Sequence, residues 1–190
     1  QNLHFKDGKF KIVQFTDLHY KLGNPASRQA TDCLYEIVKA EQPDLVVLTG
    51  DVIYSKPGDM CLQQVLNVLS DLKVPFCYLL GNHDPEQGIP VNQLYDQAQQ
   101  NSYCVQPKRN GNTLDYALPI KSGDGTKTAA VLYCMDTHDY CKMAGVGGYQ
   151  WLTSKQIGLY RNWSAAFKRQ NGGKPVPALM FMHYPLPEYN

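Results

Sequence analysis

Three short apolar runs in the first half of this chain each end abruptly in side chains able to hold a metal ion or move a proton. Residues 10–15 (FKIVQF) end in Thr16-Asp17-Leu18-His19, residues 44–49 (DLVVLT) in Gly50-Asp51, and residues 74–80 (VPFCYLL) in Gly81-Asn82-His83-Asp84. A fourth run, residues 178–182 (ALMFM), stops at His183. Short apolar runs bounded by turn residues read as buried strands, and glycine lets the backbone turn sharply where a strand ends. A single Asp-x-His or a late histidine is commonplace in surface turns and satisfied cores. Four such clusters, each at the end of a strand, describe a site, because open α/β sheets gather their ligand groups beyond the carboxyl ends of the strands.

The stretches between the runs supply the crossovers. Asn24-Pro25-Ala26-Ser27 reads as a turn into a helix with Ser27 as N-cap, and Ala30, Leu34, Ile37 and Val38 give it one apolar stripe before Pro43. A second helix carries Leu62, Val65, Leu66, Leu69 and Leu72 inward. The resulting βαβαβ succession implies parallel neighbouring strands with right-handed crossovers. Beyond Asp84 the pattern changes. A helix is expected over 91–101 with Val91, Leu94, Tyr95 and Ala98 on one face. Residues 113–118 and 128–135 then flank a polar turn and read as an antiparallel hairpin. After a Gly-rich loop at 145–148, Thr153 and Gln156 form a capping box for a helix that turns Ile157, Tyr160, Trp163, Ala166 and Phe167 inward. No repeat, low-complexity tract or linker divides the chain, which most simply forms one domain.

Bulk properties exclude several function classes. With 18 basic and 17 acidic residues, the chain of 190 residues has no basic stripe to footprint nucleic acid. No apolar run approaches a membrane span. None of the six cysteines forms a CxxC pair, so a zinc knuckle is not expected. Buried thiols are expected at Cys33, Cys77 and Cys134, whereas Cys61, Cys104 and Cys141 are available for pairing in an oxidising compartment. The chain opens on Gln1 rather than Met, and the expectation is an exported protein, periplasmic or secreted. Asn162-Trp163-Ser164 is a formal glycosylation sequon inside a helix and carries little weight.

Asp17, His19, Asp51, Asn82, His83 and His183 offer mixed oxygen and nitrogen donors without a thiolate. That set suits Zn, Fe, Mn or Co better than Ca, and argues against a structural zinc. Asp51, central among the strand ends, is the natural bridge between two ions, which would clamp the oxygens of an in-line displacement at phosphorus. His83 is placed to face a substrate as general acid or oxyanion stabiliser, with Asp84 holding its ring. His4 and His138 are read as surface or loop residues. Tyr54 and Tyr140 are able to stack on a base or sugar of a substrate, and are read in preference as packing against their own loops.

In order, Asp17-Leu18-His19, Gly50-Asp51, Gly81-Asn82-His83-Asp84 and His183 resemble the motif blocks of the calcineurin-like metallophosphoesterases. Residues 43–51 (PDLVVLTGD), 148–156 and 183–189 (HYPLPEY) resemble more narrowly the purple-acid-phosphatase-related branch of plants, fungi and bacteria. The resemblance covers nearly the whole chain. It implies an α/β fold, a β sandwich of two mixed sheets flanked by helices (αββα), here as the N-terminal portion of the domain, truncated after the His183 motif. It also implies two divalent or trivalent ions (Fe, Zn or Mn). Asp17 and His19 would bind the first, Asp51 would bridge, and Asn82 and His183 would bind the second. A metal-bridging hydroxide would attack a small phosphorylated substrate, monoesters in preference to diesters, with His83 assisting and Asp84 behind it.

Two departures from the family pattern matter. The family closes its site with a Gly-His-x-His motif, and this sequence reaches Asn190 without one. True purple acid phosphatases use a Tyr three residues after the bridging Asp and lack the His of Asp-x-His; here Tyr54 and His19 are both present. His19 is taken as the ligand and Tyr54 as a bystander, which implies a non-purple centre. The alternative to an enzyme is an inactive domain of the same fold that binds a phosphorylated ligand or partner.

Overall fold

The computed structural model describes residues 2–186; residues 187–189 of the family-like His183 segment lie outside them. The first unit is a three-stranded sheet in the order β1 (Ile12–Phe15), β2 (Leu45–Thr49), β3 (Phe76–Leu79), parallel throughout. The crossovers are α1 (Pro25–Glu41) and α2 (Gly58–Asp71), and α3 (Val91–Gln99) follows β3 after one 3-10 turn at Asp84–Gln87. The second sheet, β4 (Tyr116–Lys121), β5 (Thr128–Cys134), β6 (Ala178–Phe181), is mixed: β4 runs antiparallel to β5, and β6 parallel to it. Helix α4 (Ser154–Gln170) makes the return to β6.

The sheets face one another across the main core. Every residue of β2 and β3 is buried. They join Tyr116, Leu118, Ile120, Leu132 and Cys134 of the second sheet in one apolar cluster that also takes in Leu62, Val65, Leu66 and Leu69 of α2. Each such side chain contributes about 1.5–3 kcal/mol when withdrawn from water, so this cluster fixes the strand ends relative to one another. A smaller cluster of Val131, Tyr133 and Met135 lies against Tyr160, Trp163 and Phe167 of α4. The layering is therefore helices, sheet, sheet, helix. No helix among the described residues is long and apolar enough to cross a membrane.

Several local expectations change. Helix α1 starts earlier than Ser27: Asn24 is the N-cap, its side chain accepting the Ala26 N–H, and Pro25 takes the first helical position. Proline is preorganised for that position and lacks the N–H that would go unpaired there. The Ser27 hydroxyl instead accepts the Lys21 N–H. The buried stripe of α1 is Ser27, Thr31, Leu34 and Val38, and Ile37 is exposed. Val91 and Ile157 are exposed too, and the only fully buried residue of α4 is Gln156. The hairpin begins at Tyr116 rather than 113. The capping box of Thr153 and Gln156 is present with both hydrogen bonds. All six cysteines are free, and Cys33, expected to be buried, lies on the exposed face of α1.

Candidate metal centre

The carboxyl ends of β1, β2, β3 and β6 converge, and with them Asp17, His19, Asp51, Asn82, His83 and His183. Asp51 is the hub. Its Oδ2 lies 3.2 Å from His19 Nε2, 3.5 Å from His183 Nε2 and 4.0 Å from His83 Nε2. Its Oδ1 accepts the backbone N–H of His83 at 2.9 Å. Two groupings of metal-competent atoms, each within 4.8 Å, share this carboxylate: His19, Asp51 and His83, and Asp17, Asp51 and His183. The groupings cut across the division implied by the resemblance, since Asp17 falls with His183. Asp51 is common to both schemes.

The chain is forced into this shape at some cost. Asp17, His19 and Asp51 all have positive φ, at 56°, 46° and 51°, a conformation that L-residues other than glycine rarely adopt and that gathers at functional sites. Gly50 has φ 97°, and a Cβ on it would stand 2.7 Å from both the Gly81 nitrogen and the His183 Nδ1. At Gly81 a Cβ would overlap the Asp51 carboxylate. Only glycines let β2, β3 and His183 close on one another.

Asp84 underlies the site. Its Oδ1 accepts the N–H groups of Val52 (2.8 Å) and Ile53 (3.0 Å), and its Oδ2 those of Asp51 (3.0 Å) and Gly81 (2.7 Å). Complete burial, reinforced by the Asp51 charge, raises its carboxyl to about 6 against the downward pull of these amides. The expectation that Asp84 steadies the His83 ring is corrected here, because both its oxygens are spent on the two loops after β2 and β3. The His83 Nδ1 pairs instead with Glu86 Oε2 at 2.7 Å, which holds the Glu86 carboxyl below its ordinary range.

The donor set fits metal ions. His183 Nδ1 gives its proton to the Thr49 carbonyl at 2.8 Å, so the neutral ring presents a lone pair at Nε2. That lone pair faces two further acceptors, Asn82 Oδ1 at 3.3 Å and Asp51 Oδ2 at 3.5 Å. Three lone pairs pointing at one another need a cation or a second proton between them, and a carbonyl-anchored imidazole with carboxylate and amide oxygens is the usual setting of a bound transition metal. For the protein alone the proton is the available answer: although burial lowers it, His183 titrates above its ordinary value because of Asp51 and the Thr49 carbonyl. Burial acts the other way on Asp51 and would raise it, but the bonds from His183, the His83 N–H and His19 bring it to about 2.

Residues 10–189 match the family described as calcineurin-like phosphoesterase. The chain belongs to that family. Among its relatives are a protein named "Probable inactive purple acid phosphatase 29" of Arabidopsis thaliana, 28% identical over 96% of this chain and 56% of that protein, and "Phosphatase DCR2" of Saccharomyces cerevisiae, 29% identical over 96% of this chain and 36% of that protein. The chain thus spans about half the length, or less, of the curated relatives it matches. A crystal structure of a dimetal phosphatase from Danio rerio superposes with a TM-score of 0.58, covering 93% of this chain and 70% of that one at 15% identity, a likeness of fold.

The phosphoesterase domain therefore assembles all six donor-type residues singled out in the sequence. Sequence reasoning missed Glu86 and the role of Tyr140. Glu86 had a signal, since it stands three residues after His83 in a short turn. Tyr140 had none: its hydroxyl meets the Asn82 amide at 3.0 Å and Glu86 Oε1 at 2.9 Å across more than fifty residues of sequence. The reading of Tyr140 as packed only against its own loop is corrected accordingly. His138 is likewise no free surface residue, because its ring lies between Asp136 Oδ2 (3.2 Å) and Gln156 Oε1 (3.0 Å). Tyr54 stands edge-on to His19 and His83, at 4.9 and 4.7 Å between ring centres, with the Lys21 ammonium 4.8 Å over its face.

Proposed function

We propose that this chain carries the metal centre of a phosphate-ester hydrolase, with phosphomonoesters preferred over diesters. The observation that carries the reading is the set of opposed lone pairs at His183, Asn82 and Asp51, beside a second grouping of His19 and His83 on the same carboxylate. Membership of the phosphoesterase family supports it.

In this reading Asp51 would serve both ions, Asp17 and His19 would hold one, and Asn82 and His183 would hold the other. Bound ions there would supply Lewis acidity to the phosphoryl oxygens and to an attacking water. The protein does the rest. Glu86 accepts at His83 Nδ1 and so leaves Nε2 on the side of Asp51, where an ester oxygen would leave. As the P–O bond to the leaving group breaks and a water oxygen bonds to phosphorus, the doubly protonated His83 ring, one proton held at Nδ1 by Glu86, stabilises the leaving oxygen or gives it the Nε2 proton, and the water's proton replaces that proton or passes to solvent. Asp84 keeps the loops that carry Asp51 and His83 in register through their backbone amides.

A second reading is favoured by one observation: three Arabidopsis thaliana relatives bear the word "inactive" in their names. In it the centre binds a phosphorylated ligand without turnover. One experiment separates the readings. The protein is loaded with Mn, Zn or Fe, its ion content is measured, and turnover of p-nitrophenyl phosphate and of its bis-ester is followed beside phosphate binding. Ion uptake with monoester turnover that Asp51→Asn abolishes supports the hydrolase. Ion and phosphate binding without turnover supports the binder, and no ion uptake overturns both.

A further inference from the structure

The loop between β5 and α4 reaches back over the site through one hydroxyl. Tyr140 Oη accepts from Asn82 Nδ2 at 3.0 Å and donates to Glu86 Oε1 at 2.9 Å, and the other oxygen of Glu86 pairs with His83 Nδ1 at 2.7 Å. The donors converge on the Glu86 carboxylate from both sides, so every partner is specified. The Asn82 amide must turn its NH2 to Tyr140 and its Oδ1 to His183, 3.3 Å away. Glu86, with one oxygen held by the tyrosine, must offer the other to His83.

We infer that Tyr140 is a positioning residue that sets two groups of the site at once, the carbonyl oxygen of Asn82 toward the second ion and the ring of His83 toward the substrate. An asparagine binds a cation only through its oxygen, and an unconstrained amide rotates between its two faces. A histidine anchored at Nδ1 presents one nitrogen in one direction. The tyrosine supplies both constraints from a loop that also carries a stacked ring, Tyr149, at 5.8 Å between centroids, which is itself 4.4 Å from Tyr184 beside His183. This aromatic row keeps the hydroxyl where the two bonds need it. The loop is held at its base by Gln156, which donates to Asp115 and to the Asp136 carbonyl. Seating of that loop is thereby coupled to completion of the site.

The inference rests on the metal-centre reading for its consequence but not for its geometry, and the test has two arms. The first uses the metal-free protein, in which the side-chain amide protons of Asn82 are followed by NMR. Tyr140→Phe removes the acceptor and is expected to speed their exchange about tenfold, while the fold-reporting backbone spectrum stays. The second is equilibrium dialysis with Mn2+. Loss of a group that orients a ligand typically costs 10–100-fold in ion affinity, so Tyr140→Phe is expected to weaken one of two equivalents by about that factor and leave the other. Glu86→Gln, which keeps an oxygen and an NH2, is expected to retain ion affinity and lower kcat with little change in KM, a split that a merely structural role would not give. Unchanged Asn82 exchange in Tyr140→Phe overturns the inference whatever the dialysis shows. Absence of Mn2+ binding by the wild-type protein overturns the metal-centre reading, with the exchange arm still deciding the role of Tyr140.

Discussion

Asp51 Oδ1 accepts the backbone N–H of His83 at 2.9 Å, while Oδ2 of the same carboxylate turns to the three imidazoles. The residue that would join the ions is thus oriented by the backbone of the residue that would serve the leaving group. The two cannot drift apart without breaking a hydrogen bond to a charged acceptor, which is worth about 1.5–3 kcal/mol. Beneath them Asp84 ties the same two loops a second time, through both of its oxygens.

That second tie makes Asp84 a stability residue first. In Asp84→Asn an NH2 must face backbone N–H groups that now converge on carboxylate oxygens, so donor meets donor and at least one buried amide goes unpaired. The expected cost is about 3 kcal/mol. Urea unfolding of the metal-free variant would read it as a lowered midpoint with an unchanged slope. An unchanged midpoint would show that the four amides are satisfied some other way.

Gly81 is tied to Asp51 by space rather than by charge. Because a Cβ there would overlap the Asp51 carboxylate, Gly81→Ala must push that carboxylate or the β3 loop aside. A stability loss of about 1–3 kcal/mol is expected from such overpacking. A ligand at a hundred times its Kd stabilises a protein by about 2.7 kcal/mol, and that thermal shift with Mn2+ should be largely lost in the variant. Retention of the full shift would mean the loop gives way without moving Asp51.

Much of this was legible in the sequence, because the physics that makes the site is local. Apolar runs too short for helices, stopped by Gly or by acceptors that tolerate positive φ, place Asp17, Asp51 and Asn82 at strand ends whatever the details of packing. The strand direction followed from the crossovers, and the capping box of α4 from Thr153 and Gln156. What was not legible depends on tertiary contact. Asn24 and Ser27 are both good caps, and only the position of Pro25 decides between them. The face of α1 that is buried carries Ser27 and Thr31 rather than Ile37, because Ser27 holds the Lys21 amide below the first loop. Glu86 and Tyr140 gain their roles only when the β5–α4 loop meets the β3 turn.

His138 gives the protein a pH dependence of its own. Asp136 beside its ring, together with Gln156, raises it from an ordinary 6.5 to about 9. Between those values the unfolded chain has released a proton that the folded protein still holds, so stability falls as pH rises. The contribution is complete below about pH 6.5 and gone above about pH 9. With 36% of the side chain exposed, solvent screening reduces it to about 1–2 kcal/mol. Unfolding midpoints measured near pH 6 and near pH 9.5 should differ by that amount more in the wild type than in His138→Gln. Equal pH sensitivity in both proteins would assign the dependence to other groups.

His19 and Tyr54 compete for one role, and the geometry separates them. His19 Nε2 reaches Asp51 Oδ2 at 3.2 Å, whereas the Tyr54 ring stands edge-on to His19 and His83 beneath the Lys21 ammonium. A phenol whose face is occupied by a cation and whose edges meet two imidazoles is packed as a wall of the site. His19→Ala is therefore expected to lose about one equivalent of bound ion, and Tyr54→Phe none, with turnover within a few-fold of wild type because only an exposed hydroxyl is removed. Iron loading distinguishes the roles optically, since a phenolate on ferric ion absorbs visible light and an imidazole does not. The iron-loaded protein should be colourless in the region of that band, before and after Tyr54→Phe. A visible band that Tyr54→Phe abolishes would make Tyr54 a ligand and return His19 to the wall.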